Sequence, residues 1–307
     1  MTKIEPKNLP ASVHQRLLNL ARQRQRPFDE LLRYYAIERF LYRLAQSPYQ
    51  DRFILKGALI FTTWGAPQSR PTRDIDFLVY TLNTVENVVA IIQAIAQQAV
   101  TPDGFSFDPA TVTGEVIKER AEYQGVRVHF AGQLGQARIP LQIDLAFSDI
   151  VSPGPQMVSY PSLLGYPSPR LRGYPREAVV AEKFHALVTL GMVNSRMKDF
   201  YDLWLLASQF EFEGLILTVA IRETFARRAT DLPAEIPAAL GADFVQAKQG
   251  QWQAFLATAQ LTQAPASLGD VLADIRQFVW PASEALRAET PFTGRWPAGG
   301  PWQPPAG

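Results

Sequence analysis

The 307 residues are 47% hydrophobic, enough to fill the core of two ordinary domains or one elaborated one. Thirty Lys and Arg against 29 Asp and Glu leave a formal net charge of +1, so no chain-wide field draws the protein to nucleic acid or to a membrane surface, and any such partner must meet a local patch. The absence of cysteine excludes disulfides, thiolate metal sites and cysteine nucleophiles.

A reducing compartment fits that composition. The opening MTKIEPKNLP lacks the apolar stretch of a signal peptide, and no run nears the roughly 18 apolar residues of a membrane span. The expected location is therefore cytoplasmic, without membrane attachment.

In chain order, helix comes first. From Ala11 to Gln46 apolar residues recur at spacings of three and four, as in Leu17, Leu18, Leu20 and Ala21, then Leu31, Leu32, Tyr35, Ile37, Phe40, Leu41 and Leu44. Pro27 belongs at a helix start, so two helices are expected, making a helical N-terminal cap over residues 1–48. Residues 49–160 mix short strand-like runs with helices, the pattern of an α/β core. Lys56-Gly57 suits a turn into a helix, DIDFLVY alternates as a strand, and TVENVVAIIQAIAQQA reads as an amphipathic helix. VRVHF and LQIDLAF lie close enough, across the Gly-rich AGQLGQ, to form a hairpin in a mixed or mostly antiparallel sheet.

A Pro-rich stretch after SDIVSPGPQ reads as loop and leads into a helical C-terminal domain over 161–289. REAVVAEKFHALVTLG ends at Gly191, and NSRMKDFYDLWLLASQ has Asn194 or Ser195 as its N-cap. The Pro/Gly-rich tail, 290–307, is expected to be disordered, although its two tryptophans offer a means of docking.

The chemistry centres on RPTRDIDFLVY, Arg70–Tyr80. With a strand period of two, Thr72, Asp74 and Asp76 face one way while Ile75, Phe77 and Val79 face the other. Adjacent carboxylates repel unless a cation or fixed donors compensate, and Mg²⁺ or Mn²⁺ is a suitable hard cation. Asp144 in LQIDLAF lies opposite the apolar Leu141, Ile143, Leu145 and Phe147, and becomes a third ligand if the two strands are neighbours. Three such carboxylates suffice for two metals in phosphoryl or nucleotidyl transfer. A D-x-D pair alone is more often a solvated surface pair than a metal site, and Gly57 alone can be merely a tight turn. Lys183 sits at the edge of the apolar stripe Val180, Phe184, Leu187 and Val188, where a solvated lysine is the plainer reading. Asp199 and Asp202 share a helix face, and for Asp202 an ion pair with Lys198, Arg196 or a residue of the first domain is preferred. Of the two histidines near motifs, His129 and His185, the latter adjoins an apolar stripe and reads as a satisfied, partly buried histidine and not a general base, and Phe200, Tyr201 and Trp204 read as core.

Taken together, LKGALIFTTWGAPQSRPTRDIDFLV, IDLAF and YPREAVVAEKFHALVTLGMVNSRMKDFYDLWLL resemble the AbiEii/AbiGii toxin family over about residues 12–209. These are nucleotidyltransferase toxins of abortive-infection and type IV toxin–antitoxin systems. The resemblance implies an α+β fold with a DNA polymerase β-like nucleotidyltransferase core, a mixed sheet flanked by helices. It makes Gly57 the glycine of the nucleotide-binding turn, with Lys56 and Ala58 beside it. Asp74 and Asp76 become the metal pair, preceded by Arg70 and Thr72, and Asp144 fits the third carboxylate. Lys183 would contact the nucleotide phosphates, and Asp199 would be the acidic position near the site. Many nucleotidyltransferases carry Ser or Gly where this chain has Ala58, which leaves phosphate contacts to the backbone and Lys56.

The expected activity is transfer of NMP from NTP, with Mg²⁺ or Mn²⁺, to an RNA acceptor such as the tRNA 3′ end. A cognate antitoxin encoded nearby would relieve the growth arrest. Arg170, Arg172 and Arg176, or Arg222, Arg227 and Arg228, offer local basic surface for RNA. Two alternatives stay open: a protein or small-molecule acceptor, and a non-catalytic nucleotide-binding regulator.

Overall fold

A computed structural model describes residues 8–66, 71–120, 123–147 and 149–305. The chain forms two compact units: the described residues up to Asp149 together with Gln156–Gly173, and Ile150–Pro155 together with Tyr174 onward.

The first unit begins with α1 (Leu9–Arg24) and α2 (Phe28–Gln46), broken at Pro27 as expected. Asn8 caps α1 by accepting from the Ala11 N–H at 3.1 Å, and Gln25 closes it in the left-handed region at φ 52°. There follow β1 (Phe53–Lys56), α3 (Leu59–Thr63), β2 (Asp74–Val79), α4 (Val85–Ala96), β3 (Ser106–Arg120), β4 (Tyr123–Leu134), β5 (Ala137–Ala146), β6 (Gln156–Ser159) and β7 (Arg170–Gly173). These strands form one mixed sheet in the order β3-β4-β5-β2-β1-β7-β6, flanked by helices, so the α+β expectation holds. β2 runs parallel to β5 and antiparallel to β1, and the expected β4/β5 hairpin turns at Gly135, whose φ of 59° suits glycine.

One sheet face is apolar. Leu55, Ile75, Phe77, Val128, Phe130, Ile143 and Leu145 are buried on it, and α2 and α4 pack there, with the Phe40 ring 5.0 Å from that of Phe130. α2 is fixed by buried charge: Arg43 grips both Asp103 oxygens, and Glu38 pairs with Arg39 while accepting from Ser162 Oγ and the Leu163 N–H.

Three expectations need correction. The N-terminal helices are not a separate cap, because they cover the sheet's apolar face. The core does not end at 160, because β6 and β7 inside the Pro-rich stretch add two strands and carry it to Gly173. β3 is a strand that the sequence reading did not identify. It is one of the sheet's two edge strands, and Pro109 falls there in a register shift between Asp108 and Thr113, where a strand accepts proline.

The second unit is helical: α5 (Arg176–Leu190), α6 (Met197–Gln209), the short β8 (Phe212–Glu213), α7 (Gly214–Arg227), α8 (Ala242–Ala259) and α9 (Leu268–Arg287). Gly191 closes α5 at φ 49°, as expected. The N-cap of α6 is Arg196, whose N–H is held by Asn194 Oδ1 at 2.9 Å, so the side chain expected to cap the helix fixes its approach instead. Phe200 and Tyr201 are fully buried, as read. The tail is docked, contrary to the expected disorder. β9 (Arg295–Trp296) pairs with β8, Trp296 Nε1 donates to the Ala207 carbonyl at 2.7 Å, and Trp302 Nε1 donates to that of Phe278 at 2.8 Å. Two indoles burying area and each satisfying its N–H outweigh the composition of the tail.

Candidate functional site

Strand register assembles the first cluster. On the face away from α2 and α4, Lys56 of β1 stands opposite Asp76 of β2, Asp76 is in register with Asp144 of β5, Asp144 with Arg127 of β4, and Arg127 with Glu115 of β3. One row of charge thus crosses five strands. Asp74 lies two residues along, in a second row with Gln142 and His129. Asp74, Asp76 and Asp144, expected to share a face, do share one.

Gly57 joins this cluster through its missing side chain. Its φ of 68° excludes most residues, and a Cβ built there would fall 1.9 Å from Asp76 Oδ2. The glycine turn and the D-x-D strand are therefore packed directly on each other. Thr72 Oγ1 donates to the Asp74 carbonyl at 3.3 Å. Burial, reinforced by Glu30, raises the Tyr34 pKa. Ala58 and Thr72 also line a cavity of about 230 Å³ with Arg24, Arg26, Tyr34 and Tyr160. Arg70 lies outside the described residues.

Asp144 is engaged. Arg127 Nε donates to its Oδ1 at 2.8 Å and Nη2 to its Oδ2 at 2.7 Å, and Gln142 Nε2 adds a third bond to Oδ1 at 3.1 Å. The hydrogen bond to Asp144 is the main reason the Arg127 pKa is raised, with further support from the charges of Asp144, Asp74 and Glu115 against a cost of burial. Arg127 is the functional-face residue that the sequence reading missed. Its signal was available, since alternation in VRVHF puts Arg127 and His129 on the polar side, but the partner follows only from the β4/β5 register. His129 is half-exposed, 3.6 Å from Glu115.

The second cluster lies within the helical unit. Lys183 Nζ is 2.8 Å from both Asp199 Oδ1 and Asp202 Oδ2, with its side chain only 14% exposed. This corrects two readings. Lys183 is not a solvated lysine, and Asp202 pairs with Lys183. The helix period places Asp199 and Asp202 three residues apart on one face of α6, and that face meets α5 at Lys183. His185 is buried and bonded to Thr230 Oγ1 at 2.9 Å, which agrees with its reading as a satisfied histidine.

Two solved structures show similarity at low identity, both from Helicobacter pylori. One is a crystal structure of a protein provisionally assigned as a nucleotidyltransferase, 11% identical, covering 93% of this chain and 99% of its own, with a TM-score of 0.41. The other is JHP933, 15% identical, covering 82% and 94%, with a TM-score of 0.43. Among curated proteins, none matches the chain. No helix among the described residues is long and apolar enough to cross a membrane. The model of the nucleotidyl transferase AbiEii toxins of type IV toxin–antitoxin systems matches residues 39–286, which takes in both charged clusters, and the chain belongs to that family.

Proposed function

We propose that this nucleotidyltransferase toxin transfers NMP from an NTP, with Mg²⁺ or Mn²⁺, to an RNA acceptor, the tRNA 3′ end being the expected one, and that a cognate antitoxin opposes it. The contact that carries this reading is the packing of Gly57 against Asp76. It ties a glycine turn, where backbone N–H groups can approach a phosphate, to a carboxylate pair on one strand face.

The donor set suits a hard cation in kind. Mg²⁺ typically takes one or two protein carboxylates and fills its shell with water and phosphate oxygens, and Asp74 and Asp76 supply two. Among the described residues no group of three His, Cys, Asp or Glu is arranged to hold a metal, so the fit is to a cation shared with a triphosphate and not to an all-protein cage. When bound, such a cation neutralises triphosphate charge and favours the acceptor alkoxide.

In the proposed reaction an acceptor hydroxyl oxygen bonds the α-phosphorus, the bond from that phosphorus to pyrophosphate breaks, pyrophosphate leaves, and the hydroxyl proton passes to a carboxylate or to water. Asp144 is the carboxylate proposed to polarise that hydroxyl or to hold a second cation. Lys56 and Arg70 supply positive charge for the phosphates, the Gly57-Ala58 backbone and Thr72 position the turn, and the family resemblance gives Lys183 and Asp199 a part in nucleotide binding. Incubating the protein with labelled NTPs, total tRNA and cell protein tests this. Label on tRNA that Asp76→Ala abolishes is the expected result, and label confined to protein would move the acceptor to a side chain. Induced expression of wild type and Asp74→Ala, with and without the neighbouring gene, reads out the toxin and antitoxin roles.

A further inference from the structure

We infer that Arg127 is a built-in counter-ion that competes with the divalent cation for Asp144, so that this carboxylate joins the metal site only when the guanidinium releases at least one of its oxygens. The inference deepens the reading above and rests on it.

The geometry leads there directly. A carboxylate offers about four lone-pair sites, and Arg127 and Gln142 donate three bonds into those of Asp144. A dication at the remaining site would stand beside a guanidinium that already holds both oxygens in fork geometry. Arg127 cannot relieve the conflict by losing its proton, because guanidinium stays charged in proteins. It can move instead: its side chain is 34% exposed, against 15% for Asp144. Glu115, in register with Arg127 on β4's other side and 61% exposed at its side chain, is a place for the released cation to go. The row Glu115, Arg127, Asp144, Asp76 therefore has two arrangements. In one, Arg127 compensates the acids; in the other, a metal does.

Mn²⁺ binding to the full chain without nucleotide, followed by calorimetry and by the electron paramagnetic resonance signal of free Mn²⁺, tests this independently of activity. Arg127→Gln should tighten Mn²⁺ binding roughly tenfold, in line with removing one partly screened competing charge. Arg127→Lys keeps the charge but loses the fork, and should tighten it only two- to threefold, which serves if the Gln variant does not fold. The decisive comparison is in the Asp144→Asn background, where Arg127→Gln should have no further effect. If the tenfold gain persists there, the effect is general electrostatics and the competition is refuted. If Arg127→Gln leaves binding unchanged or weakens it, Arg127 does not compete. If instead Asp74→Asn and Asp76→Asn leave Mn²⁺ binding unaltered, the metal reading of the site fails, a result distinct from failure of the Arg127 claim alone.

Discussion

Asp74 and Asp76 lie partly exposed on a sheet face and owe their closeness to strand register, whereas Asp199 and Asp202 are buried on α6 and share the ammonium of Lys183. Acids placed by backbone can lose their charge without loss of fold, because ladder hydrogen bonds hold the strands. Acids placed by a buried ion pair cannot, because the pair is itself part of the packing. The comparison separates a region whose substitutions should read out in chemistry from one whose substitutions should read out first in stability.

The largest expected effect tests the helical side. Lys183→Met should destabilise the protein by about 3–5 kcal/mol, since it removes the ammonium from between two buried carboxylates. Urea unfolding followed by far-UV circular dichroism checks it, and a loss below 1 kcal/mol would erase the contrast between the clusters. On the sheet side, Asp76→Asn should cost roughly a thousandfold in nucleotidyl transfer, the scale of several kcal/mol supplied by metal and electrostatic stabilisation. The fold should persist, because ladder hydrogen bonds hold β2 between β1 and β5. An active Asp76→Asn protein would take the carboxylates out of the chemistry.

Gly57→Ala sharpens the boundary between the two behaviours, since it touches the sheet-side site through sterics. The positive φ and the contact with Asp76 should together cost about 1–3 kcal/mol and displace the carboxylate, so stability and transfer should fall together. The smallest effect concerns Glu177, near the start of α5, where burial raises the pKa above the ordinary 4.5 despite the nearby Arg176. The folded state holds this proton more tightly than the unfolded chain does. Stability from this group is therefore fully present below about pH 4.5 and is lost as pH rises through the folded value. Glu177→Gln should flatten that part of the stability curve by no more than about 0.5 kcal/mol.

The elements read correctly from sequence were those with a strong period or a punctuating residue: the Pro27 break, the β4/β5 hairpin, and α5 ending at Gly191. β3 escaped because an edge strand tolerates Pro109 and half-exposed charge, and β6 and β7 escaped because four-residue strands carry too little pattern against six prolines. For the site, period two was enough to put Asp74 and Asp76 on one face, and apolar alternation gave the side of Asp144. What a one-dimensional pattern does not contain is register. Asp76 beside Asp144, Arg127 across from it, and Lys183 between Asp199 and Asp202 all depend on which residue of one element meets which residue of another. The tail misled by composition: Pro and Gly argued for disorder, while two indoles supplied the contacts that decide it.

The five-strand row carries a consequence for how such a chain tolerates change over generations. Exchanging residue types along the row alters charge locally and leaves the rest in place. Losing or gaining one residue within β2 or β5 would turn Ile75 or Ile143 to the polar face and drive a carboxylate toward the helices. Drift in this region should therefore run through substitutions, with insertions and deletions confined to the connections between strands, where length is cheap.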